Sequence, residues 1–234
     1  MYRWNRNDGD GKIDIQDPDC QSPEQCTDGI DNDGDGTVAE MCGNGVRCTA
    51  QFFIELTKSM QKELKIDTRD GIKEVVVNED GTFSVNMGAP VFSHFDFPKN
   101  SLVFQEIEFE FVSMGNPHAV GMVKNLSEID ISDIGPKIEN HPLFPNKINV
   151  ELVEKVTESH FRVKVWERGS GATLACGTGA CAVYAVLENQ GIKNKGIKET
   201  TLEFPGGNLY LSESAQGEII LRGEVLFVFR GEIK

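Results

Sequence analysis

Residues 41–48 read MCGNGVRC and residues 175–182 read ACGTGACA. A cysteine followed by Gly, a small polar residue and Gly therefore stands twice in the chain, each time ahead of an apolar run. Such a repeat predicts a duplication, with one helix opening behind each cysteine. After the first copy, Phe52, Phe53, Leu56 and Met60 recur at helical intervals, with Gly43 and Gly45 ahead of the apolar run, which predicts a helix. After the second, ACAVYAVL predicts a small-residue helix from about Gly179 to Asn189, stopped by Gly191 as its C-cap. Strand signals fill the rest. KEVVV, the turn NEDG and TFSV predict a hairpin. Ile107, Phe109 and Phe111 alternate with Glu, and Phe161, Val163 and Val165 alternate in the same way, the period of a half-buried strand. The tail from residue 200 onward is a run of short strands broken by Gly turns. The order helix, strands, helix, strands predicts an α+β fold of two pseudosymmetric lobes, each a curled antiparallel sheet around a central helix.

Charge narrows the function. The chain of 234 residues carries a net charge of −14, and residues 1–40 hold eleven Asp/Glu against three Lys/Arg. That acidity argues against a nucleic-acid partner and leaves no basic footprint for an anionic membrane. No run of 18 apolar residues occurs, and MYRWNRNDGDG lacks the apolar core of a signal peptide, so the expected location is the cytoplasm. Within the acidic segment, NDGDGKIDIQD and DGIDNDGDGTV place Asp at every second position. Asp31, Asp33 and Asp35 followed by Gly36 match the first half of a calcium loop, in which alternate oxygens wrap a hard cation. The place of the closing Glu falls on Cys42, so the match is to short acidic calcium repeats, and a solvated linker is the plainer alternative. The six cysteines lack the Cys-x-x-Cys spacing of zinc ribbons, while Cys20 and Cys26 flank a short polar loop and could pair if oxidised.

The repeated cysteine carries the chemistry. The first-turn amides and dipole of a helix favour an anion, so a thiolate at its start is expected to have a lowered pKa. The glycines let backbone amides close on a ligand, and a helix N-terminus is a natural seat for a carboxylate. If the two halves face each other, two sulfurs flank one ligand. One thiolate can then take an α-proton while the opposite thiol donates another, which inverts a stereocentre without an electron-sink cofactor. Cys48 and Cys181, about a turn further into each helix, read as packing residues.

EMCGNGVRC, MGNPHAV at 114–120, HPLFPNKINVE at 141–151, WERGSGATLACGTGACA at 166–182 and the closing FPGGNLYL and GEVLFVFRGEI together resemble the diaminopimelate epimerases. The motifs stand in family order and cover roughly residues 33–233. Asn44, where the related proline racemases carry His, favours the diaminopimelate branch. The resemblance implies a cofactor-independent isomerase that converts LL-2,6-diaminopimelate to the meso form, serving lysine and peptidoglycan synthesis. It implies that Cys42 and Cys176 are the acid/base pair, and that Gly43, Asn44, Gly177 and Thr178 cradle the α-carboxylate. Asn116, Asn149 and Arg168 are implied to contact the substrate's distal end, with Glu167 and His118 as polar partners near the reacting centre. A guanidinium suits Arg168 to that role because it forks a carboxylate with two hydrogen bonds. Family habit suggests a homodimer acting on a small amino-acid substrate.

The resemblance also departs from its pattern. The family carries a longer stretch ahead of its first cysteine, with further substrate contacts, and Asp33 stands where a substrate-binding Asn is expected. Asn5 in WNRNDGD is a candidate for that displaced Asn. The expected organisation is therefore an acidic segment over 1–40, an incomplete N-terminal lobe over 41–110 and a C-terminal lobe over 111–234, with the last strand or strands returning to the first lobe. The other readings kept are a racemase or epimerase of a different amino acid, and an inactive epimerase fragment with a calcium-binding N-terminal segment.

Overall fold

The computed structural model describes residues 42–68, 71–93, 97, 102–192 and 196–227. Asp31, Asp33, Asp35, Asn5, Cys20 and Cys26 lie outside the described residues, and with them the calcium and local-disulfide readings. The chain enters at α1 (Gly43–Thr57), then runs through β1 (Glu63–Thr68), β2 (Gly71–Val77) and β3 (Phe83–Asn86). Next come β4 (Leu102–Phe104), β5 (Ile107–Ser113) and β6 (Pro117–Val123), followed by α2 (Ile131–Glu139). Then β7 (Asn149–Lys155), β8 (His160–Glu167) and β9 (Gly171–Thr173) lead into α3 (Gly177–Asn189). The last elements are β10 (Thr200–Phe204), β11 (Gly207–Glu213) and β12 (Ile219–Gly223).

All twelve strands join one sheet, in the order β1-β2-β3-β12-β11-β10-β8-β7-β6-β5-β4, with β9 on the flank of β8. The α+β class follows. Pairing is antiparallel except at β6–β7 and β8–β10, which run parallel, so the sheet is mixed where the sequence predicts antiparallel lobes. The expected hairpin is there, with Val75 opposite Val85 and Val77 opposite Phe83. Late in the chain, β12 pairs with β3, so Leu221 sits opposite Val85.

Side-chain alternation splits the core across the middle strands. Val120, Val153, Val163 and Val165 pack towards α3, whereas Ala119, Val150 and Leu152 pack with Ile134 and Ile138 of α2. Both faces of β7 are thus covered, which explains why its first five residues are all buried. From Gly177 to Leu187 every residue of α3 is buried, and small side chains let β5, β6, β7, β11 and β12 crowd around it. It ends as predicted, with Gly191 at φ 64° and the Ile192 N–H bonded back to the Leu187 carbonyl at 3.0 Å.

Two departures matter. α2 was not foreseen: it is nine residues long, holds Pro136 inside it, and starts from an Asp130 cap whose side chain accepts the Ser132 N–H. And the apolar residues spaced along α1 and just beyond it face outward. Phe53 is 42%, Leu56 70% and Met60 95% exposed, while Val46 and Ala50 on the other side are buried. Among the described residues α1 packs chiefly on β1, β2, β3 and α3.

Candidate active site

The two cysteines occupy equivalent places. Cys42 caps α1 with φ −123° and ψ 107°, and its sulfur accepts the Gly45 N–H at 3.3 Å. Cys176 caps α3 with φ −122° and ψ 124°, and its sulfur accepts the Gly179 N–H at 3.4 Å. A sulfur here does the work an Asp or Ser oxygen does at ordinary helix starts. The two helix ends touch. A Cβ built on Gly177 would lie 3.1 Å from the Gly43 Cα, and one built on Gly43 would lie 3.4 Å from the Gly177 Cα. Only glycine at both positions lets the two backbones approach this closely, which is the convergence that the repeat predicts.

The environments of the two sulfurs differ. Cys42 is exposed and Cys176 buried. Burial pushes the Cys176 thiol well up, the nearby Glu167 and Glu151 carboxylates add to that, and the Thr178 hydroxyl and Gly179 amide oppose it. The sequence predicts a lowered value, and magnitudes explain the reversal. A helix end contributes about 0.3–1 kcal/mol, whereas full burial can move a titration by about 3–5 pH units. Cys181 is fully buried as expected, but Cys48 is exposed and does not pack in the core.

A continuous set of contacts runs from Cys176 into the sheet. Its sulfur lies 3.4 Å from the Thr178 hydroxyl, which accepts the Asn116 side-chain amide at 3.3 Å. The Asn116 carbonyl oxygen faces His118 Nε2 at 2.9 Å, and His118 Nδ1 faces Glu151 Oε1 at 2.7 Å. His118 and Glu151 are both wholly buried, and burial pushes the Glu151 carboxyl up against the opposing pull of His118. Glu151 lies directly under the first turn of α3: a Cβ on Gly179 would meet its Oε1 at 2.5 Å.

The remaining predicted residues gather on the turn after β8. The Asn149 side chain is spent on the protein, since its Oδ1 accepts the Arg168 N–H at 2.9 Å and its Nδ2 donates to the Pro117 carbonyl at 2.9 Å. The Arg168 guanidinium is half-buried, and its Nη1 donates to the Asn146 carbonyl at 3.4 Å. Glu167 accepts a hydrogen bond from the Thr173 hydroxyl. Asn44 accepts from Arg47 Nη2 at 2.8 Å and reaches the Ala175 carbonyl at 3.5 Å, tying the start of α1 to the segment ahead of α3.

Sequence reasoning passed over Glu151, Thr173, Glu139 and Arg47. Arg47 was visible as part of the repeated stretch, but its burial behind α1, with the guanidinium donating to the Gly43 carbonyl at 3.3 Å, was not. Among the described residues no group of three or more His, Cys, Asp or Glu could hold a metal ion, and no helix is long and apolar enough to cross a membrane.

Comparison with known proteins decides the family. The family model described as diaminopimelate epimerase matches residues 9–93 and 110–228. The chain belongs to the diaminopimelate epimerase family. A diaminopimelate epimerase from Ectopseudomonas mendocina (strain ymp) is 36% identical over 211 residues, covering 86% of this chain and 75% of that protein. One from Carboxydothermus hydrogenoformans is 39% identical over 208 residues, covering 85% and 75%. The family match begins inside the acidic segment, further towards the N-terminus than the motifs themselves reach. Among solved structures, a phenazine biosynthesis protein of the PhzF family from Bacillus anthracis superposes with a TM-score of 0.59 at 18% identity, over 81% of this chain and 74% of that one. A hydroxyproline epimerase from Agrobacterium vitis, solved with trans-4-hydroxy-L-proline, gives 0.58 at 17% identity, over 79% and 64%. These two share the fold. As a member of the diaminopimelate epimerase family, the chain is an isomerase of the epimerase type.

Proposed function

We propose that this protein converts LL-2,6-diaminopimelate to meso-diaminopimelate with Cys42 and Cys176 as a two-sided acid/base pair and no cofactor. The observation that carries this is the contact between the two helix starts at Gly43 and Gly177, each behind a cysteine of the same conformation. On this reading the amides of the two adjoining helix starts bind an α-carboxylate and share the charge that builds as its α-proton leaves. The reaction balances as a proton exchange: one sulfur takes a proton from carbon and the other gives one to the opposite face. Exchange with solvent restores the starting protonation before the next turnover, and the return reaction uses the sulfurs in the opposite roles.

We assign Cys176 as the donor of the first step and Cys42 as the base. The exposure of Cys42 and the burial of Cys176, whose thiol is pushed up by burial and by the Glu167 and Glu151 carboxylates, support that order. Substrate changes that balance, because an ammonium group arriving beside Glu167 offsets the charge that disfavours the Cys176 thiolate. Arg168, on the turn that Asn149 holds, is placed to meet the distal carboxylate. Two free thiols must persist for turnover, which fits a reducing cytoplasm. The test is formation of meso-diaminopimelate from the LL isomer by the purified, reduced protein, beside Cys42→Ala and Cys176→Ala. Each substitution is expected to abolish turnover with the fold intact. Turnover surviving either one contradicts the two-sulfur reading.

A further inference from the structure

Glu139 closes α2, is only 5% exposed, and touches neither cysteine. Both of its carboxyl oxygens are occupied. Oε2 accepts the indole N–H of Trp166 at 2.7 Å, and Oε1 accepts the backbone N–H of Gly169 at 3.0 Å, with Lys147 Nζ 3.6 Å away. Trp166 and Gly169 stand on either side of Glu167 and Arg168, the turn's two candidate substrate contacts. The backbone between them is gripped once more, where Asn149 takes the Arg168 N–H. The turn is closed on its far side by the Ser170 N–H donating to the Glu167 carbonyl at 3.1 Å and by the pairing of Glu167 with Gly171 of β9, but neither contact fixes the Arg168 side chain. Gly169 sits at φ 78°, and the Arg168 side chain has one long hydrogen bond of its own, at 3.4 Å. The helix is seated against the same indole, since a Cβ on Gly135 would fall 2.4 Å from the Trp166 ring.

We infer that Glu139 is a positioning residue for substrate recognition: its two carboxyl oxygens clamp Trp166 and Gly169 and so fix where Glu167 and Arg168 meet the substrate. This rests on the epimerase reading above for the identity of the ligand, while the clamp itself belongs to the protein alone. An acceptor at both oxygens is required. A glutamine in this place offers one acceptor and one donor, so its amide nitrogen must face either the indole N–H or the Gly169 N–H, donor against donor. Leaving one buried donor unpaired is costly even when the shape is unchanged.

The experiment compares the full chain with Glu139→Gln, Trp166→Phe and the double variant, by steady-state kinetics on LL-diaminopimelate and by ¹⁵N NMR of the indole and Gly169 N–H groups. Glu139→Gln is expected to raise KM about tenfold with kcat within about twofold, because binding geometry is lost and the sulfurs are untouched. Trp166→Phe removes the indole donor and is expected to raise KM about threefold. The double variant is expected to lie closer to wild type than Glu139→Gln does, because the glutamine oxygen can then serve Gly169 with no donor opposing its nitrogen. Wild-type KM in Glu139→Gln, a fall in kcat alone, or a double variant worse than Glu139→Gln would overturn the inference. If Glu139→Gln does not fold, Trp166→Phe decides, and an unchanged KM there contradicts the clamp. A wild-type protein without turnover counts against the epimerase reading only. The Gly169 N–H shift then judges the clamp, which is contradicted if Glu139→Gln leaves that resonance in place.

Discussion

At Cys176 two effects pull on one sulfur, and burial prevails over the helix end. The sign of the consequence is fixed: a thiol titrating above its ordinary value stays protonated through neutral pH and becomes nucleophilic only as the solution turns alkaline. Alkylation by iodoacetamide, followed by peptide mapping, should therefore label the exposed Cys42 and Cys48 first. Cys176 labelling should rise only in more alkaline solution than an ordinary thiol needs. Labelling of Cys176 at neutral pH as fast as Cys42 would contradict that ordering. The glycines make an equally local prediction. Gly177→Ala puts a Cβ 3.1 Å from the Gly43 backbone, which cannot yield as the tip of a flexible side chain would. The expected result is a stability loss of about 1–3 kcal/mol by denaturant melt and a fall in turnover of about a hundredfold, since the helix ends must separate. Neither effect is expected if the two helix starts are not in contact.

At the scale of elements, what could be read in the sequence followed how local its cause was. Strands β5 and β8 were legible because Ile107, Phe109 and Phe111, and Phe161, Val163 and Val165, alternate without interruption. The end of α3 was legible from one glycine. The starts of α1 and α3 were legible because each cap is written in the repeated cysteine stretch. α2 was missed because Pro136 and Gly135 break the pattern of a nine-residue helix, and Gly135 is there for the Trp166 ring, thirty-one residues on. Glu139 and Glu151 were missed for the same reason: their partners are Trp166, Gly169 and His118, which no local pattern connects to them. For α1 periodicity gave the helix but not its face, because an apolar stripe does not say which side the sheet lies on. Leu56→Gln, at a position 70% exposed, is accordingly expected to leave Tm within about 2 °C of wild type in a thermal melt. A loss of about 5 °C or more would mean that Leu56 is covered in the intact protein.

For the whole molecule the repeat was the most informative feature, since two copies of one cap require two helix starts, and the proposed site lies where they meet. The sequence predicts two antiparallel lobes with the last strands returning to the first, and the strands form one mixed sheet in which the late strand β12 pairs with β3. The register of that join is not written locally, because it depends on partners the chain meets only on folding. It has a functional consequence: Leu221 of β12 lies 3.0 Å from the Cβ position of Gly43 and 3.3 Å from that of Gly177, so the sheet supports both helix starts from beneath. The most direct test of the account follows LL-diaminopimelate with reduced protein in D₂O by NMR, early in the reaction. Two opposed sulfurs predict that the meso product carries solvent deuterium at its inverted carbon while the recovered LL substrate still carries protium. Deuterium appearing in recovered substrate as fast as in product would mean that one group serves both faces, and would contradict the two-cysteine site.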